Sequence, residues 1–228
     1  MSATQVPVRE STRLFGELLA VHAVMVRGAE LVGGSFTRLA CGADVDTKTL
    51  VATARWLVAF VRHHLDAGGE ILRPALGACF PGLVHRFDRL AEEDHTLVCL
   101  LDDLERVLLR IAQERKVGGS VDWGHAMKEG TLASHRIQDE LARHRAAEEP
   151  QLRWLFAKAP DEDLPGLRKA VTDGLPRSGA HLVFGLLAHP EPLPGADRVC
   201  ARFPAPVHLT RGMLVSRFRR TLRDLAAE

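Results

Sequence analysis

Apolar side chains recur at intervals of three and four along four long stretches of this chain, the spacing that lines up one face of an α-helix. The first stretch covers 9–32, with Leu14, Leu18, His22, Met25, Ala29 and Val32 on one stripe and Gly33 and Gly34 as its stop. After a polar, glycine-containing connection, Asp46 or Thr47 caps a second helix over 47–73. Its stripe is Leu50, Thr53, Leu57, Phe60 with Val61, His64, Gly68 and Ile71, and Pro74 ends it. Gly68 and Gly69 together give up about 2 kcal/mol of helix propensity relative to alanine, which predicts a local distortion. The third helix, 83–116, carries the widest apolar band: Leu83, Phe87, Leu90, Leu97, Leu101, Leu104, Leu108 and Ile111. Asp94 occupies the centre of that band, and His95 lies on its flank beside Ala91 and Val98. Glycines at 118, 119 and 124 predict a break. A fourth helix then follows over 129–158, with Ile137, Leu141, His144, Glu148, Leu152 and Leu155 on its stripe.

Four long amphipathic helices joined by short connections predict an all-α fold, an antiparallel up-down four-helix bundle over 9–158. From Pro160 onward frequent prolines cut the chain into short pieces, so 159–228 is expected to be a Pro-rich C-terminal extension of short helices packed on the bundle. Residues 181–188 fit a short buried helix. Residues 210–227 fit a basic amphipathic one, with Met213, Leu214, Phe218, Leu222 and Leu225 on its apolar side. Its arginines read as a solvated face rather than a lipid- or nucleic-acid-binding one.

Length and charge narrow the partners. A chain of 228 residues with 46% hydrophobic content can bury one sizeable core. Thirty basic against 29 acidic residues leave a formal net charge of +1, which argues for no nucleic-acid groove and no anionic membrane surface. No run of about 18 apolar residues exists, so no membrane span is expected. Cys41, Cys79, Cys99 and Cys200 are widely spaced, and the first residues lack the features of a signal peptide, so a cytoplasmic location is expected.

The chemistry lies in what interrupts the stripes. His22, His64, His144 and Glu148 fall inside them and His95 borders one, with His144 and Glu148 one helical turn apart. Buried neutral polar groups cost about 1–3 kcal/mol each when unsatisfied, and charges cost more. Five such groups rival the 5–15 kcal/mol stability of a domain, so they must satisfy something. A shared cation would serve all of them, and hydrogen bonds through buried water are the alternative. Imidazole with carboxylate suits iron, zinc or manganese rather than calcium. The pairs His135/Asp139 and His125/Glu129 have the same spacing but point outward or sit near a helix start. Cys99 reads as a small hydrophobe, and Glu92 with His95 supplies only one half of a ferritin-type carboxylate site.

Four segments carry a resemblance. They are 22–27 in the first helix, Phe60-Val-Arg-His63-His64 leading to Ile71-Leu-Arg-Pro74-Ala-Leu76 in the second, Glu93-Asp94-His95 in the third, and His144-Arg-Ala-Ala-Glu148-Glu149 in the fourth. In this order, over about 10–158, the set resembles the hemerythrin-like (HHE) cation-binding domain. The resemblance implies a bundle enclosing a non-haem iron pair bridged by carboxylates, with His22, His64, His95, His144 and Glu148 as ligands. It also implies dioxygen or peroxide as the partner, for oxygen binding, sensing, or the handling of reactive oxygen species. One position departs: the family's His-x3-Glu pattern places a carboxylate at 68, where this chain has Gly68. Glu70, or Asp66, would replace it if the glycine pair bulges, and the expectation is therefore one or two iron ions.

The function expected is that of a non-haem iron protein acting on dioxygen or reactive oxygen species. Iron-dependent oxidation of a small organic substrate and a metal-free helical interaction module with a degenerate site are the alternatives. No residue outside the ligand set declares itself as a base or nucleophile, so enzymatic activity is left open.

Overall fold

The computed structural model describes residues 9–114, 121–176 and 178–227, with the side chains of 83–90, 92 and 93 outside the description. Among the described residues all regular structure is helical and no strand occurs. The long helices are α1 (Glu10–Ala40), α2 (Thr47–Ala67), α4 (Val84–Glu114) and α5 (Val121–Lys158), with a π-helical turn, Gly68–Leu72, and the short α3 (Arg73–Cys79) between α2 and α4. α1 packs against α2 and α5, and α4 packs against the same two. The stripes read from the sequence form the faces that meet: Leu14, Leu50, Leu97, Leu101, Leu104, Leu108 and Ile137 are fully buried. Each such side chain contributes about 1.5–3 kcal/mol on removal from water.

Asp46 caps α2 as expected, accepting from the Thr49 backbone N–H at 2.6 Å. Three expected boundaries move. α1 continues through Gly33 and Gly34 because Gly33 is a crossing point: a Cβ there would stand 2.1 Å from Gln138 Nε2 on α5. The Gln138 amide donates to the Ala29 carbonyl at 2.8 Å. α5 starts before Gly124 and runs through Gly130, where a Cβ would come within 2.5 Å of the Phe36 ring. Gly33 and Gly130 cost about 1 kcal/mol each in propensity and let two helices approach. Pro74 does not end the second helical run. The π turn intervenes, the Arg73 N–H reaches back five residues to the Gly68 carbonyl, and Pro74 falls in the first turn of α3, where its missing N–H is not needed.

The C-terminal part comprises α6 (Leu164–Asp173), α7 (Ala180–Ala188), α8 (Ala196–Ala201), α9 (Ala205–Leu209) and α10 (Arg211–Asp224). α6 lies against α1, α2 and the π turn, while α7 is held between α1 and α10. Phe218 and Leu222 of α10 are buried and Arg211, Arg217, Arg219, Arg220 and Arg223 are exposed, although Met213 is 65% exposed rather than on the apolar side. No helix among the described residues is long and apolar enough to cross a membrane.

Two apolar clusters result. The larger unites the middles of α1, α2, α4 and α5 with α7 and α10. The smaller gathers Leu14, Leu18, Leu72, Leu76, Leu152, Leu155, Phe156, Leu164 and Leu167. His22, His64, His144 and Glu148 lie in sequence near the passage from one cluster to the other along α1, α2 with the π turn, and α5.

Candidate metal centre

The helical register delivers the site. The stripe of α1 carries His22 inward, the last turn of α2 carries His64, and α5 places His144 and Glu148 one turn apart on its buried face. His22 is 0% exposed, His144 3%, His64 7% and Glu148 8%, which removes bulk water as a partner. Donor atoms of His22, His64 and Glu148 all lie within 4.8 Å of one another. The Nε2 atoms of His22 and of His144 each lie 3.4 Å from Glu148 Oε2, and the His22 and His64 rings meet edge to face at 5.0 Å between centroids.

A separation of 3.4 Å is longer than the usual hydrogen bond of about 2.7–3.2 Å. His22 Nε2 and Glu148 Oε2 are in fact buried without a hydrogen-bond partner. Ligands held at about 2.0–2.2 Å around a tetrahedral ion stand about 3.3–3.6 Å apart. The observed spacing is that of atoms facing a common cation, and this group can hold a metal ion.

Further residues orient the donors. His22 Nδ1 lies 3.1 Å from Glu149 Oε1, and Arg145 Nε donates to the same oxygen at 2.7 Å. His144 Nδ1 lies 3.5 Å from Asp94 Oδ1, and Arg73 Nη1 donates to Asp94 Oδ2. His22 and His144 therefore each present Nε2 to Glu148 while Nδ1 faces a carboxylate, an arrangement that fixes the ring and strengthens it as a ligand. His64 Nδ1 abuts the Gly174 backbone, so closely that a Cβ on Gly174 would be 3.2 Å from it.

Electrostatics keep the donors in ligating form. Burial, with the neighbouring His22 and His144 adding to it against a smaller pull from Glu148, pushes His64 down to about 3. Burial alone would raise Glu148, but His144, His22 and His64 outweigh it and hold the carboxyl at about 2. Glu149 likewise stays at about 2, its burial outweighed by His22 and Arg145. For Asp94 the balance reverses: burial raises it against the opposing pull of Arg73 and His144. At neutral pH His64 is a free base and Glu148 an anion, the forms that bind cations.

Of the residues expected to be ligands, His22, His64, His144 and Glu148 come together. His95 does not: it is exposed on α4, 3.8 Å from Cys99 Sγ. Asp94 holds the inward position, in keeping with its place four residues after Leu90 and three before Leu97, and one residue on the helix turns about 100° away. Glu93, quoted in the same segment, has its side chain outside the described residues. Glu70 and Asp66 are also exposed. The glycine pair does distort into a π turn, but what it brings to the site is Arg73, not a carboxylate. Glu149, Arg73, Arg145 and Gly174 were not singled out by the pattern. The stripe marks only side chains that point straight inward, and these reach the site from its edges. Compared with protein families, curated proteins and solved structures, the chain matches none.

Proposed function

We propose that this chain is a hemerythrin-like protein that holds iron in an antiparallel up-down four-helix bundle formed by α1, α2, α4 and α5 and binds, senses or reacts with dioxygen or peroxide. The observation that carries the reading is the convergence of His22 Nε2 and His144 Nε2 on Glu148 Oε2 at 3.4 Å, with His64 beside them, in a site closed to bulk water. The family resemblance in the order of the four segments supports iron over other cations that accept imidazole and carboxylate.

Bound iron would supply a redox-active Lewis acid with a coordination position left for a small oxygen species. The chain's own residues do the rest. His22, His64, His144 and Glu148 bind, while Glu149 and Asp94 orient His22 and His144. Leu18 and Met25, one turn either side of His22 and no more than 2% exposed, belong to the apolar walls that exclude water. The test is anaerobic loading with Fe(II) followed by admission of oxygen. Bound iron and a new visible absorption band are expected, and a protein that retains no iron and shows no band contradicts the proposal.

A further inference from the structure

A second cation is already part of the fold. Asp94 is 8% exposed, its Oδ1 lies 3.5 Å from His144 Nδ1, and among the described residues it is the carboxylate that α4 adds to the cluster. It would be the natural ligand for another metal ion. Instead, its Oδ2 accepts from the guanidinium of Arg73. That guanidinium follows the π turn and lies across its Gly69, where a Cβ would stand 2.7 Å from Arg73 Nη2.

The charges around the site divide accordingly. Three carboxylates are gathered here, Asp94, Glu148 and Glu149. Arg73 pairs with Asp94 and Arg145 with Glu149, and each guanidinium is a fixed positive charge that does not titrate in the working range. Among the described residues Glu148 contacts imidazoles and no arginine or lysine. One buried carboxylate is thus left for a mobile cation. A second divalent ion would have to displace a guanidinium from Asp94 or sit beside it and be repelled.

We infer that the centre holds a single metal ion, and that Arg73, delivered by the π turn across Gly69, takes the place of a second ion on Asp94. The inference rests on the metal-binding reading proposed above. Arg73 is a specificity-determining residue here: it sets how many ions the site accepts, and its ion pair is with Asp94 rather than with a residue proposed to bind the ion.

The experiment is anaerobic titration of the full chain with Fe(II), and separately with Mn(II), reading bound ions per chain by elemental analysis after desalting. The parent is expected to bind one ion. Arg73→Ala frees Asp94 and is expected to bind two, Arg73→Lys keeps the charge and stays at one, and Arg73→Ala with Asp94→Asn returns to one. Two ions on the parent overturn the inference, as does an Arg73→Ala protein with parental helix content that still binds one. Should Arg73→Ala not fold, the stoichiometry of the parent decides between one and two. No ion on the parent defeats the underlying metal reading, a result distinct from two.

Discussion

At the scale of single residues, carboxylates hold imidazoles in place. Glu149 touches His22 at Nδ1 and is itself held by Arg145, so it sets the ring angle that aims Nε2 at Glu148. Glu149→Gln keeps the shape and removes the charge. Outer partners of this kind are worth about 10–100-fold in metal affinity. Glu149→Gln is therefore expected to weaken Fe(II) binding by about that factor in a chelator competition while the number of ions stays the same; unchanged affinity would show that Glu149 does not orient the ligand. The four residues that converge were readable from the sequence because each replaces a leucine-like position in a 4–3 rhythm. The same rhythm identifies Asp94 rather than His95 as the inward residue of α4, so the metal-ligand chemistry of histidine was a poorer guide there than register.

At the scale of elements, the π turn is the feature with the most consequence. Gly68 and Gly69 sit side by side in it but differ in surroundings. A Cβ on Gly68 meets nothing within 4 Å, whereas one on Gly69 meets the Arg73 guanidinium at 2.7 Å. Gly68→Ala is expected to stabilise the chain by up to about 1 kcal/mol in urea unfolding, the usual gain from removing a helical glycine. Gly69→Ala is expected to gain less or to lose stability, because it displaces Arg73 from Asp94. Equal effects of the two substitutions would mean that the guanidinium does not depend on the glycine. The presence of a distortion was legible from the paired glycines; its content was not, since nothing in the local pattern says that a π turn will swing an arginine inward. The glycine at 33 misled for a related reason. A glycine that stops a helix and one that lets two helices touch look alike until the partner, here Gln138, is in place.

At the scale of the whole molecule, the C-terminal helices are tied to the long ones by polar contacts as well as by apolar packing. Arg27 of α1 donates to the carbonyls of Leu186, His189 and Glu191 at 2.8–2.9 Å, and Arg202 is bound to the buried Glu17. His181, at the start of α7, is pushed down to about 4 by burial, with Arg217 of α10 adding to it. The unfolded chain takes up a proton there near pH 6.5 and the folded chain only near 4, so the stability from neutral His181 is complete above 6.5 and declines as pH falls toward 4. His181→Gln is expected to lose less stability than the parent between pH 6.5 and 4.5 in urea titrations, and an identical decline in both would show that His181 is not its source. The all-helical class and the four long stripes were legible because burial imposes a long-range period. How α7 lodges between α1 and α10 was not, because short proline-bounded helices carry too few turns to show a face.

The most direct test of the central claim is metal analysis of the protein purified from its own host, compared with His144→Ala, Glu148→Ala made in the same way. The parent is expected to carry iron at about one ion per chain and the double variant, with its helix content preserved, to carry none. A parent free of transition metal, or a variant that retains the parent's iron, would contradict the claim that these helices close around a cation.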